Sequence, residues 1–274
     1  MKKWIISFAL MTLAIGLVAC GSESAEEVYT NAMEAAEEME SAEFVMEMNQ
    51  QMGLPEDGEM SIESEMEGSM IVDPIAMHQK GTISMTMEGE GLGSMPPMDM
   101  ETETYLVGEE FYMYESTMGQ WMKLDNSTLP LDALMAEQPD TKEQLEMLEE
   151  YVEELEFEEK DQEYVFHLSA DGEGFKELTE EMLEEYMPEE LTAELGAVSE
   201  VLDNMDIDNL NIEIVIDKET YELIQYNLDM SMVMTIEGEE VSITQQVNSE
   251  YKGINTVDTI EVPQDVKDSA VDGM

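Results

Sequence analysis

The clearest structural signal in the chain is the stretch IEIVIDKETYELIQYNLDMSMVM, residues 212–234. On each side of the polar segment 217–220, apolar residues alternate with polar ones. Such alternation is typical of a strand with one buried and one solvated face, and a short polar turn between two such strands makes an antiparallel hairpin. The stretch therefore predicts two long antiparallel strands, with Met230, Met232 and Met234 on one face of the second.

The same period of two continues toward both ends of the chain. Phe44, Met46 and Met48 share one face of a predicted strand. Met85 and Met87 share one face of another, which follows a predicted turn at Lys80 and Gly81. Further strands are predicted at 60–66, 102–107, 111–114, 119–124, 153–157, 164–168 and 241–251.

Three segments have helical rather than strand-like spacing of their apolar residues: 22–41, 131–152 and 175–186. Consecutive strands joined by short turns build an antiparallel sheet, and the helices that interrupt it must cover one of its faces. The predicted fold class is therefore α+β, with one large, curved antiparallel sheet and helices packed on it.

The N-terminus is predicted to be a targeting signal. Two lysines precede an apolar run from Ile5 to Val18, which is the composition of a secretory signal peptide. The ending Leu17-Val18-Ala19-Cys20 resembles a bacterial lipobox, which implies cleavage after residue 19 and acylation of Cys20. Residues 1–19 are then a lipoprotein signal peptide and residues 20–24 a lipidated tether. The expected location is the extracytoplasmic face of a bacterial membrane, with the membrane as partner through Cys20.

The charge balance excludes one class of partner. The 67 acidic residues against 10 lysines and no arginine give a formal net charge of -57. Such a chain has no basic surface that could neutralise phosphates, which excludes nucleic acid. The composition resembles that of proteins from salt-loving or alkaliphilic bacteria, because at about 1 M salt the repulsion between carboxylates is screened within about 3 Å.

The sequence offers little catalytic chemistry. It contains no Gly-x-Ser-x-Gly motif, and its single cysteine, Cys20, is assigned to the anchor. The only histidines, His78 and His167, each stand alone in a strand-like segment. A general base must reach its proton and usually needs an orienting partner. The interpretation is a protein that is not an enzyme and uses no cofactor.

Three segments and their order resemble known families. They are 41–48 after a lipobox and a helix, 105–114 followed by 119–123, and 214–221 leading into a long strand. They are similar to surface lipoproteins of Bacillus-type bacteria and, more distantly, to the LolA and LppX/LprG lipoproteins. The resemblance covers 25–262 as a single domain. It implies a half-barrel whose helices pack on the concave face around an apolar cavity for lipid or acylated molecules, and no catalytic residues.

The C-terminal segment 263–274 lies beyond the resemblance. It is polar, follows Pro263 and shows no strand alternation. We predict a flexible acidic tail there, as is common at chain termini.

Methionine is the most unusual feature of the composition, with 28 residues against 22 leucines. Its unbranched, polarisable side chain suits surfaces that adapt to varied apolar ligands, whereas rigid cores prefer Leu, Ile and Phe. We therefore predict binding of an apolar or amphiphilic, lipid-like ligand in a cavity. The predicted cavity residues are Phe44, Met46, Met48, Met85, Met87, Leu178, Met182, Tyr186, Met230, Met232 and Met234.

Two alternatives remain open. Met95, Met98 and Met100 place three thioethers within six residues, and thioethers are soft ligands that favour Cu(I). Extracytoplasmic copper binding is therefore a second hypothesis. The third is a structural or sensory surface lipoprotein whose half-barrel is filled by its own side chains and holds no ligand.

Overall fold

The computed structural model describes residues 23–54, 58–89, 97–108, 110–124, 145, 155–170, 205–236 and 239–272. Within these ranges it contains two helices, α1 (Ala25–Glu37) and α2 (Gln264–Ser269), and a twelve-stranded sheet. In chain order the strands are β1 (Ser41–Leu54), β2 (Gly58–Ile71), β3 (Ala76–Glu88), β4 (Met98–Val107), β5 (Glu110–Glu115), β6 (Gln120–Leu124), β7 (Glu156–Glu159), β8 (Glu163–Ala170), β9 (Met205–Asp217), β10 (Leu223–Ile236), β11 (Glu239–Lys252) and β12 (Val271–Asp272).

The sheet is an open meander in two halves. Its spatial order is β12-β6-β5-β4-β3-β2-β1-β11-β10-β9-β8-β7. All neighbours are antiparallel except β12 and β6, which are parallel. The pairing of β1 with β11 joins the two halves at the centre. The large antiparallel sheet expected from the alternating sequence pattern is confirmed.

Strand register assigns every side chain to one of two faces, because directly paired residues point to the same side. Phe44 on β1 lies opposite Tyr251 on β11, and we call their side the apolar face. Glu47 on β1 lies opposite Glu65 on β2, and we call their side the polar face. The apolar face collects most of the branched and thioether side chains. The polar face collects carboxylates and amides, together with apolar residues such as Tyr105, Tyr112 and Val165.

Helix α1 packs on the apolar face of β7–β10 and forms the main core with it. Its start is fixed by a capping box: the Glu27 backbone N–H donates to Ser24 Oγ, and the Ser24 backbone N–H donates to the Glu27 carboxylate, each at 3.2 Å. The Tyr29 ring meets Phe166 edge-on, with 5.5 Å between centroids. The buried members of this core are Val28, Tyr29, Ala32, Leu145, Leu155, Tyr164, Phe166, Leu168, Leu210, Ile212, Ile214, Ile216 and Leu223.

The segment predicted as a flexible tail contains regular structure. Residues 264–269 form α2, and β12 pairs with Met122 and Lys123 on β6. Val262 and Val266 are buried against Tyr105 and Tyr112 on the polar face. The expectation of a loose tail is therefore wrong for residues 263–272, because distant tyrosines supply an apolar surface that the local polar composition does not reveal.

The turn predicted at Lys80 and Gly81 is also wrong. Both residues lie inside β3, and the chain reverses instead at 72–75. A Cβ atom on Gly81 would lie 2.0 Å from the Glu65 carbonyl oxygen and 2.6 Å from the sulfur of Met66. Glycine is required here by the close approach of β2 and not by a change of chain direction.

The other two predicted helices, 131–152 and 175–186, lie outside the described residues apart from Leu145. Leu145 is helical and buried, and its carbonyl oxygen accepts a hydrogen bond of 2.5 Å from the Tyr29 hydroxyl. Among the helices that the structure describes, none is long and apolar enough to cross a membrane.

Candidate functional site: the methionine-rich face

The eight sheet residues predicted to line a cavity all lie on the apolar face. On β1, Met46 lies opposite Met66, and Met48 lies opposite Val247. The remaining predicted positions reach the same face through a continuous register across the sheet: Ile62 with Met85, Met60 with Met87, Met230 with Gln245, Met232 with Ile243 and Met234 with Val241. The predicted helix residues Leu178, Met182 and Tyr186 lie outside the described residues.

The register adds methionines that the prediction of the site missed. They continue the apolar face across the strands from β1 to β6: Met52, Met60, Met66, Met70, Met77, Met113 and Met122. Met52 and Met60 are direct partners, as are Met70 and Met77, and Met113 and Met122. Their even spacing within each strand was visible in the sequence, but their common face depends on pairings between strands.

The apolar face has two zones of different composition. Where α1 covers it, the face consists of branched and aromatic residues such as Phe166, Ile214 and Ile216, each no more than 1% exposed. Away from α1, methionines predominate and are half-buried, while Phe44 is buried against the glycine at position 68. Branched residues pack in one arrangement, whereas methionines adopt many, so only the second zone can reshape around different apolar molecules.

Two of the three proposed copper ligands belong to this same face. Met98 lies opposite Met85, and Met100 lies opposite Ile83, both on β4 against β3. Met98 is 46% exposed. Met95 lies outside the described residues. The alternating pattern of the sheet accounts for the placement of Met98 and Met100 without a metal.

The two histidines lie on the polar face, each beside a carboxylate. His78 Nε2 is 2.9 Å from Glu103 Oε1, and its ring stacks on Tyr105 with 4.2 Å between centroids. Tyr105 donates its hydroxyl to the same Glu103 oxygen at 3.0 Å, and burial, together with this carboxylate, raises the pKa of Tyr105 to about 12. His167 Nδ1 is 3.5 Å from Glu213 Oε2. The predicted solitary histidines thus have carboxylate partners that sequence spacing did not show.

The start of the described chain is tied to one end of the sheet. Tyr164 and Tyr221 both donate their hydroxyls to the Glu23 carboxylate, the second at 2.7 Å. These hydrogen bonds, that from Tyr164 first, lower the pKa of Glu23 below its ordinary value. Tyr164 is the second residue of β8 and Tyr221 lies in the turn between β9 and β10, so Glu23 is held at this end of the sheet.

Replacing Glu23 by glutamine is expected to lower the melting temperature at neutral pH, because a carboxylate accepts hydroxyl hydrogen bonds more strongly than an amide. The folded-state pKa of Glu23 is depressed, so its contribution is present above the ordinary glutamate pKa and is lost as pH falls through the folded value. Circular-dichroism melts across this range should therefore show a difference at neutral pH that vanishes in acid.

The control is Glu59→Gln, since Glu59 is an exposed carboxylate with no hydrogen-bond partner among the described residues. This variant should melt like the wild type throughout. A Glu23→Gln difference of constant size down to acid pH would contradict a role for the charged carboxylate.

Comparison with other proteins places the chain in a family. A search of curated proteins finds no match. One similar solved structure is the crystal structure of a Nitrosomonas europaea protein provisionally assigned as AttH, with 8% sequence identity, a TM-score of 0.19, and coverage of 77% of this chain and 51% of that one. This chain thus spans about half the length of that structure, and a likeness this low supports no inference.

A family model described as "Family of unknown function (DUF6612)" matches residues 24–271. The match includes α1, strands β1–β11 and α2, ends at the first residue of β12, and begins after the predicted lipid anchor. The chain therefore belongs to the DUF6612 family.

Proposed function

We propose that this protein is a lipid-anchored, extracytoplasmic binding protein for an apolar or amphiphilic, lipid-like molecule, which it holds without chemical change. The observation that carries the proposal is the run of methionines across the apolar face, outside the core beneath α1. A sheet that needed only stability would be expected to use branched side chains throughout.

Binding on this face follows from the hydrophobic effect. Each methylene group of an acyl chain that leaves water contributes about 0.8 kcal/mol, so a chain of ordinary length supplies enough free energy for stable retention. Half-buried methionines can rearrange their three rotatable bonds around chains of different length and branching. This chemistry favours a ligand class defined by apolar surface and not by one specific head group.

The proposed binding function includes a specific shape of the sheet and a position for the helices. A LolA- or LppX-like half-barrel would curve the apolar face around the ligand, with helices on the concave side. The predicted helix residues Leu178, Met182 and Tyr186 would then cover the ligand opposite Met230, Met232 and Met234. The position of α1 on the apolar face supports this arrangement, because it shows that this is a face to which a helix docks.

The tether fixes one end of the body close to the membrane. Only three residue steps separate Cys20 from Glu23, which limits their separation to about 11 Å for a fully extended chain. Acylation of Cys20 would therefore hold the turn between β9 and β10 near the membrane surface. Metabolic labelling with a palmitate analogue should mark the wild type and leave a Cys20→Ser variant unlabelled; equal labelling of both would contradict the anchor.

The decisive experiment is mass spectrometry of residues 22–274 purified from cells under native conditions, followed by analysis of an organic extract. We expect a non-covalent, apolar molecule at about one per chain, which the extract identifies. A bare protein that also fails to take up added phospholipid or fatty acid would contradict the binding function. It would favour the copper hypothesis or a structural role, which a Cu(I) titration would then separate.

A further inference from the structure

A second groove lies on the polar face, away from the methionine-rich face. It crosses the middle of β8, β9, β10 and β11 and has a volume of about 450 Å³. Its floor is the strand backbone at Leu168, Ile212 and Leu228, whose side chains belong to the apolar face. The groove is therefore separate from the lipid site proposed above, with the thickness of the sheet between them.

Two parallel rows of polar side chains form the groove walls. The register aligns His167, Glu213, Asn227 and Asn248 in one row and Ser169, Asn211, Asp229 and Gln246 in the other. Rows two residues apart along a strand are separated by about 7 Å, and four strands at about 4.8 Å spacing give a length of about 14 Å. The groove is thus long and narrow, which suits an extended ligand lying across the strands.

The groove walls differ in chemistry from those of a neighbouring groove on the polar face. A neighbouring groove of about 500 Å³ over β1–β5 is lined by Glu47, Glu65, Glu67, Glu101 and Glu103. The two rows over β8–β11 contain four amide side chains, although the chain has 67 acidic residues and asparagine is disfavoured in strands. Solubility alone would favour carboxylates here as well, so these amides indicate selection for hydrogen bonding.

Three hydrogen bonds run along the rows, and Asn209, outside them, accepts one from Asn211 Nδ2 at 2.9 Å and donates one to Asp229 Oδ1 at 3.5 Å. Asn227 Nδ2 donates to Glu213 Oε1 at 2.8 Å in the first row, and in the second Ser169 Oγ donates to Asn211 Oδ1 at 2.6 Å and Gln246 Nε2 donates to Asp229 Oδ2 at 3.2 Å. Among the described residues, no side-chain hydrogen bond joins one row to the other. The rows are therefore held in place individually, and the space between them stays open.

The side-chain donors and acceptors that make no hydrogen bond within the rows determine what the groove can bind. The Asn248 amide makes no side-chain hydrogen bond within the part of the chain that the structure describes, and Asn227 Oδ1 and Gln246 Oε1 keep free acceptor positions. An amide offers donors and acceptors together, which matches hydroxyl groups that also do both. Asp229 and Glu213 disfavour an anionic ligand, while a cation would favour the neighbouring groove, whose lining has five carboxylates and one lysine.

We infer that this groove is a binding site for a neutral, hydroxyl-rich chain molecule, an oligosaccharide, which lies across β8–β11 between the two rows. The groove is open and polar, so its contacts are hydrogen bonds and water bridges and its affinity is modest. Specificity comes from the paired rows, because sugar hydroxyls on both edges of the chain meet an amide or carboxylate.

Isothermal titration of the full-length protein in a sugar-free detergent tests this inference, with cellotetraose, maltotetraose and chitotetraose as probes. We expect at least one to bind and the Asn227→Ala/Asn248→Ala variant to bind it about tenfold more weakly. Asn248→Asp keeps the shape of the side chain and removes its donors, and should also weaken binding. Gln51→Ala, an exposed amide on the same face outside the groove, should leave binding unchanged.

Two results would overturn the inference. One is the absence of heat of binding with all three oligosaccharides at millimolar concentration while the protein is folded by circular dichroism. The other is wild-type affinity in both the double variant and Asn248→Asp. Neither result bears on lipid binding, which uses the opposite face.

Discussion

Replacing Phe166 by alanine is expected to lower the free energy of unfolding by about 3–5 kcal/mol. Phe166 is 0% exposed. The centroid of its ring lies 5.5 Å from the ring centroid of Tyr29 on α1 and 4.9 Å from that of Phe157 on β7. It therefore joins the helix to the edge of the sheet. Since a whole domain is stabilised by only about 5–15 kcal/mol, the loss would leave a marginal fold.

The size of this effect follows from the neighbours of the ring. Ile214 lies directly opposite Phe166 on β9 and is itself 1% exposed, so it is held on every side. Branched side chains in such a setting cannot move into the space left by a ring, and the cavity remains. A flexible methionine in place of Ile214 could move into part of the cavity left by the ring. The loss in free energy of unfolding should therefore be larger here than for a comparable truncation in the methionine-rich zone.

Urea unfolding followed by tryptophan fluorescence and far-ultraviolet circular dichroism measures the loss. The matched control is His167→Ala, the next residue on the same strand, whose half-exposed side chain points to the polar face. This control should change stability by no more than about 0.5 kcal/mol. If both variants unfolded at the same urea concentration, the core beneath α1 would not be the main source of stability.

Elements with a local signal could be predicted from the sequence. The alternation at 212–234 identified β9, the turn and β10, because a period of two depends only on each strand having a buried and a solvated face. The start of α1 also has a local signal, because Ser24 and Glu27 have the three-residue spacing of a capping box. The register places Met46, Met85 and Met232 on one face of the sheet, which is the side that the alternation within each strand indicates.

Features that depend on distant pairings could not be predicted. The join of β1 with β11 brings together residues about 200 positions apart, and no local pattern specifies it. The two amide rows exist only because four strands align Asn211, Asn227, Asn248 and their partners, so each amide alone looks like an ordinary surface residue. The turn predicted at Gly81 was wrong because glycine is a strong local signal for a turn. The feature that requires glycine there is the close approach of β2, which is not local in sequence.

Replacing Met232 by glutamate is expected to reduce uptake of the apolar fluorescent probe N-phenylnaphthylamine by at least about tenfold. Met232 lies on the apolar face between Ile207 on β9 and Ile243 on β11, within the proposed ligand wall. A carboxylate there must stay hydrated, so the probe could no longer cover this position. Because Met232 is half-buried and outside the core beneath α1, the sheet should remain folded.

The control uses the same substitution one residue further on. Val233 lies on the polar face between Asp206 and Ser242, so Val233→Glu adds the same charge to the same strand without entering the apolar wall. Met232→Leu keeps the apolar surface and nearly the same volume, and should retain uptake. Loss of uptake in Met232→Glu alone would assign binding to the apolar face. Equal loss in both glutamate variants would mean that added charge, and not the face that carries it, controls the probe, and undiminished uptake in Met232→Glu would remove Met232 from the ligand wall.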